Sequence, residues 1–121
     1  EREPSHPFLA AQPEKMRLSI WGVIMRAAGH QISHIHPAAW LSGVYYVNVP
    51  EIVGEEQGKQ AGWLALGRTP EHFHNSIDAE IKAIRPEPGL MVLFPSYFYH
   101  QTIPFHTAET RISIAFDLIP D

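Results

Sequence analysis

The chain contains no cysteine. Disulfides, thiolate metal ligands and cysteine nucleophiles are thereby excluded, and the composition suits a cytoplasmic setting. Nor is there an apolar run of about eighteen residues, so no membrane-spanning helix and no membrane partner are expected. No signal-peptide pattern opens the sequence. It begins at Glu1 rather than a methionine, in the manner of a domain cut from something longer. No basic cluster stands out and the net charge is −4 with histidines neutral, which argues against nucleic acid as a partner. A Gly-rich phosphate loop and a serine–histidine–acid arrangement are both missing. Any metal must then be held by histidine, carboxylate or carbonyl groups.

The 121 residues are 45% hydrophobic and 18% charged, the profile of one ordinary globular domain with a real core. Residues 1–15 carry Pro4, Pro7 and Pro13 with little periodicity and read as an extended lead-in to a domain over 16–121. Strand signals follow at short intervals: 16–27, 31–36, 41–50, 62–67, 80–85, 89–94, 97–103 and 111–119. Ala28-Gly29-His30 and Pro86-Glu87-Pro88-Gly89 read as turns, the second with a strong turn composition. About eight short strands broken by Pro and Gly, without a long helical pattern, predict an all-β sandwich or barrel, and a jelly roll uses eight strands.

His34-Ile35-His36-Pro37 is the first chemical signal. On a strand, residues two apart share a face, their Cα atoms about 6.6 Å apart. Two imidazoles so placed can converge on one metal ion, although a strand edge that merely carries two histidines has the same pattern. The second signal is the aromatic run Tyr97-Phe98-Tyr99 leading to His100. On the last strand, alternation puts Arg111, Ser113, Ala115 and Asp117 on one face and Ile112, Ile114, Phe116 and Leu118 on the other. Taken alone, that strand reads as apolar side in, polar side out.

Taken together, HIHP, LSGVYYV, GWLALG, PGLMVLFPSYFYH and RISIAFD resemble, in order and spacing, the 2-oxoglutarate/Fe(II)-dependent oxygenase superfamily. The likeness is to bacterial oxygenase domains, some of them attached to tetratricopeptide repeats, and runs from about Trp21 to Pro120. It implies a double-stranded β-helix. His34 and His100 would be metal ligands, and Arg111, with Ser113, would bind the far carboxylate of 2-oxoglutarate. Tyr46 would hydrogen-bond that carboxylate while Tyr45 faces away. The family's usual second ligand is a carboxylate, completing a 2-His-1-carboxylate triad; here that place holds His36. Three neutral ligands would leave Fe(II) one negative charge short. If Arg111 and Ser113 point inward, the opposite apolar face must be covered by a neighbouring domain or a second copy in a homodimer.

Two other functions fit part of the pattern. One is a cupin-like three-histidine metalloenzyme without 2-oxoglutarate, in which Arg111 has no task. The other is a non-catalytic metal-binding module. The substrate, whether a small molecule or a protein segment, is not written in the residues. Trp21, Trp40 and Trp63 read as core aromatics, with Trp40 the best candidate to approach the site. His72 and His74 read as loop residues, as do Glu55 and Glu56. His30 reads as a turn residue and His106 as solvent-facing, while Gln31 can reach the pocket.

Overall fold

The computed structural model describes residues 5–50, 60–67 and 81–121, the side chains of 26–34 and 104–109 excepted. The expectations for Glu55, Glu56, His72 and His74 lie outside these residues, as do those for the side chains of His30, Gln31, His34 and His106.

The described elements are α1 (Pro7–Ala10), β1 (Met16–His34), β2 (Leu41–Asn48), β3 (Leu64–Leu66), β4 (Lys82–Ile84), β5 (Met91–Pro95) and β6 (His100–Pro120). The all-β expectation holds, and none of the described helices is long and apolar enough to cross a membrane. The number of strands differs from expectation. Two predicted strands fuse into β1 and two more into β6, so the described residues hold six, not eight. The predicted turn at Ala28-Gly29-His30 lies inside β1, where the ladder shifts register between Gly29 and Gln31. Such irregularities let a strand bend without ending, which composition alone does not distinguish from a turn. Pro104 likewise lies within β6. The lead-in also differs, because Pro7–Ala10 form one helical turn. Phe8 from that turn stacks on Trp40 with ring centroids 4.5 Å apart, and its carbonyl accepts the Trp40 indole N–H at 3.0 Å. Trp40 therefore anchors the lead-in.

β6 organises the sheet. It pairs antiparallel with β1, from Met16 opposite Pro120 to His34 opposite His100. Its other edge changes neighbour: the first part pairs with β3, Leu66 opposite His100, and the last part with β2, Leu41 opposite Leu118. The two parts fold over each other. Leu64 and Leu66 of β3 consequently meet Tyr46 of β2 and Val92 and Phe94 of β5 in one buried cluster. This is the double-stranded β-helix form of a jelly roll.

The turn before β5 is built as its composition demands. Leu90 N–H donates to the Glu87 carbonyl at 3.0 Å, with Pro88 and Gly89 between them. Gly89 has φ +86°, the left-handed value a type II turn requires after proline. This turn sets the register in which Val92 and Phe94 point inward.

Register also decides the two faces of the main sheet. Asp117 lies opposite Ser42, Ala115 opposite Val44 and Ser113 opposite Tyr46; these side chains face inward. Ile114 lies opposite Tyr45 and Phe116 opposite Gly43 and Ile20; these face outward. Apolar side in, polar side out is thus the wrong way round for this strand. Arg111, Ser113 and Asp117 are buried, whereas Leu18, Ile20, Ile24, Met91 and Leu93 are each more than half exposed.

Candidate functional site

The inward face opens into a partly enclosed cavity lined by His36, Tyr46, Phe94, His100, Arg111 and Ser113, with Trp21 and Ser42 among the others. Each is delivered by a local feature of the chain. β1 ends at His34, two residues short of the expected strand end, so His36 sits in the connection to β2, which is pinned at both sides. His36 N–H donates to the Ser96 carbonyl at 3.2 Å, and Trp40 N–H to Leu118 at 2.8 Å. The Ser96 hydroxyl donates to the Ala39 carbonyl. His100 opens β6 directly opposite His34 in register.

The two histidines lining the cavity face each other with ring centroids 4.9 Å apart. The His100 Nδ1 lies 3.1 Å from the Phe98 carbonyl, so it must carry the proton and donate, which makes Nε2 the lone-pair nitrogen. His36 is held in the same sense. Its Nδ1 lies 2.9 and 2.8 Å from the two carboxylate oxygens of Asp117, which accept and cannot donate when ionised. Both rings therefore present Nε2 as the atom able to take a metal. Phe94 packs on His100 at 4.8 Å and Trp21 on His36 at 5.8 Å. Among the described residues no three His, Cys, Asp or Glu side chains converge tightly enough to hold an ion; the expected third ligand is His34, described only by its backbone.

Across the cavity, Arg111 is 3% exposed. Its guanidinium carbon lies 5.2 Å from the centre of the Tyr46 ring, and Nη1 donates to the Gly62 carbonyl at 3.0 Å. Burial pushes the Arg111 pKa below its ordinary value, with the nearby Tyr46 pulling weakly the other way. Burial likewise raises the Tyr46 phenol, opposed by the positive charge of Arg111. The Tyr46 hydroxyl is fully buried and makes no hydrogen bond of good geometry among the described residues, although the Arg111 guanidinium lies close enough to oppose the rise in its pKa. A buried hydroxyl without a partner costs about 1–3 kcal/mol. An anionic ligand reaching Arg111 and Tyr46 would relieve that cost and the desolvation of the guanidinium together.

Of the expected site residues, the fold brings His36, His100, Arg111, Ser113 and Tyr46 to one cavity. Residue reading missed Asp117, Ser42 and Trp21 as site residues. Asp117 was visible in the alternation that groups it with Arg111, but nothing local marks it as the partner of a histidine far away in sequence.

A family model described as "Putative 2OG-Fe(II) oxygenase" matches residues 19–117. No curated protein sequence matches the chain. Among the solved structures that share its fold are two oxygenases. A prolyl-4-hydroxylase from Pseudomonas putida aligns with a TM-score of 0.62 at 16% identity, over 86% of this chain and 52% of its own. An oxidoreductase of the 2OG-Fe(II) oxygenase family from Burkholderia pseudomallei aligns with a TM-score of 0.63 at 11% identity, over 92% and 46%. The chain thus spans about half the length of these neighbours. With a family match over most of the chain that takes in Arg111, Ser113 and Asp117, and with histidines and arginine on one cavity of the shared fold, this chain belongs to the 2OG-Fe(II) oxygenase family.

Proposed function

We propose that this domain is a non-haem iron(II), 2-oxoglutarate-dependent dioxygenase of the hydroxylase type, with His34, His36 and His100 holding the metal. The observation that carries the proposal is the burial of Arg111 and the Tyr46 hydroxyl on the cavity shared by His36 and His100. A buried guanidinium suits a carboxylate because its planar fork pairs bidentately and keeps its charge. Tyr46 donates to the same carboxylate. Ser113, in register with Tyr46, supplies a third polar contact.

Imidazole nitrogens are suitable ligands for iron, and the Nε2 atoms of His36 and His100 are the donors such a site needs. Bound Fe(II) with 2-oxoglutarate supplies the oxidising chemistry: dioxygen gives one oxygen atom to succinate, with release of CO2, and one to the hydroxylated substrate. The protein's part is to orient the keto acid from Arg111, fix the imidazoles and keep the cavity walls apolar through Phe94, Val44 and Leu64. A three-histidine metalloenzyme without the keto acid would leave Arg111 and Tyr46 without a ligand. Turnover of 2-oxoglutarate to succinate by the iron-loaded protein, absent in His100→Ala, is the expected result. Succinate formation at an undiminished rate in that variant would contradict the assignment.

A further inference from the structure

Asp117 is a carboxylate buried one step behind the metal ligands, and the proposed reaction gives it no direct task. It is 9% exposed. Both of its oxygens face His36 Nδ1, at 2.9 and 2.8 Å, and Oδ1 also accepts the Ser42 hydroxyl at 2.7 Å. Ser42 and Asp117 are directly paired in register across β2 and β6, so the sheet places the carboxylate independently of the histidine. His36 comes from the connection after β1. Residues from three separate stretches therefore form one ordered line, Ser42–Asp117–His36.

On the metal-site reading given above, we infer that Asp117 is the positioning residue of this site. It holds His36 in the tautomer that offers Nε2, and supplies from behind the imidazole the negative charge that position 36 would bring as a carboxylate. A histidine that ligates a metal commonly donates its other N–H to a carboxylate, which fixes the ring and strengthens the ligand. Ser42 fixes in turn which way the carboxylate lies. In Asp117→Asn, the amide oxygen can keep the Ser42 hydrogen bond, but its NH2 then faces His36 Nδ1. With a donor now set against Nδ1 and the one remaining oxygen shared with Ser42, the imidazole is favoured to accept there and carry its proton on Nε2, where it cannot bind metal. The shape is conserved and the tautomer is inverted.

The test compares Co(II) binding by calorimetry, and the visible Co(II) spectrum, in wild type, Asp117→Asn, His36→Ala, His100→Ala and the double variant His36→Ala/Asp117→Asn. Thermal melts of the metal-free proteins check the fold. The expected loss in Asp117→Asn is about 10–100-fold in affinity, with an altered Co(II) spectrum, and no further loss on adding Asp117→Asn to His36→Ala. Nitrogen-15 shifts of the His36 ring in the metal-free protein should report Nδ1–H in wild type and Nε2–H in Asp117→Asn. Wild-type affinity and an unchanged spectrum in Asp117→Asn, with His36→Ala and His100→Ala both impaired, would overturn the inference and leave the metal site standing. Equal loss from Asp117→Asn with and without His36 would also overturn it, as a structural effect only. Binding that is indifferent to His36→Ala and His100→Ala would overturn the metal site itself.

Discussion

The two faces of β6 invert the usual economy of a sheet. From Arg111 to Asp117 the inward residues Arg111, Ser113 and Asp117 are polar and buried, with Ala115 between them. The outward residues Ile112, Ile114, Phe116 and Leu118 are only partly covered, beside Ile20, Ile24 and Leu93, which stand largely in solvent. Burying polar groups normally costs stability unless each is paired. Here Asp117 is paired by His36 and Ser42, whereas the Tyr46 hydroxyl makes no hydrogen bond of good geometry among the described residues. The inner face thus buries polar groups that an anionic ligand would satisfy, while the outer face retains apolar area that does little for this chain alone.

This contrast can be broken most sharply at Arg111. Arg111→Met keeps the length of the side chain and removes the charge. Truncating one side of a buried charged pair costs about 2–5 kcal/mol of binding, so 2-oxoglutarate affinity should fall on the order of a hundredfold or more by calorimetry. Metal-free stability should change less, because relief of the buried charge offsets loss of the hydrogen bond to the Gly62 carbonyl. Core against surface comes next. Leu64→Ala, in the buried cluster, should lose about 2–5 kcal/mol in urea melts, while Ile24→Ser on the outer face should stay within about 0.5 kcal/mol.

The outer face is not uniformly loose, and two glycines on it locate the difference. A Cβ at Gly43 would lie 2.3 Å from the tip of the Phe116 ring and 2.9 Å from Leu93. Gly43→Ala must therefore displace that ring, at about 1–3 kcal/mol. Gly22 has open space around its missing Cβ, and Gly22→Ala should be neutral or gain about 0.4–1 kcal/mol through the unfolded chain. The smallest effect is set by pH. Tyr46 has a raised pKa in the fold. Above the ordinary value of 10.0 the unfolded chain loses that proton first, so the stability is present below this pH and lost as pH rises further. Tyr46→Phe should flatten that alkaline fall in a pH series of melts.

The strands were legible wherever β-branched and aromatic residues run between prolines and glycines, as in 41–50 and 111–119. The Pro88-Gly89 turn was legible from its composition. The continuity of β1 through Gly29 and of β6 through Pro104 was not, because a bulge and a turn use the same residues. At the site, the motifs led to His36, His100, Arg111, Ser113 and Tyr46. Strand alternation alone pointed the other way for Arg111, since the pattern tells which residues share a face but not which face is inside. The contact between His36 and Asp117 depends on pairing across 81 positions, and no local pattern encodes it.

The central claim is that Arg111 and the histidines serve one bound keto acid. Anaerobic titration of 2-oxoglutarate into the Fe(II)-loaded protein tests it directly, through the metal-to-ligand charge-transfer band in the visible. The account predicts a saturable band in wild type that is lost in Arg111→Met at the same concentrations. Iron demonstrably bound with no band at any concentration, or a band of equal affinity in Arg111→Met, would contradict it.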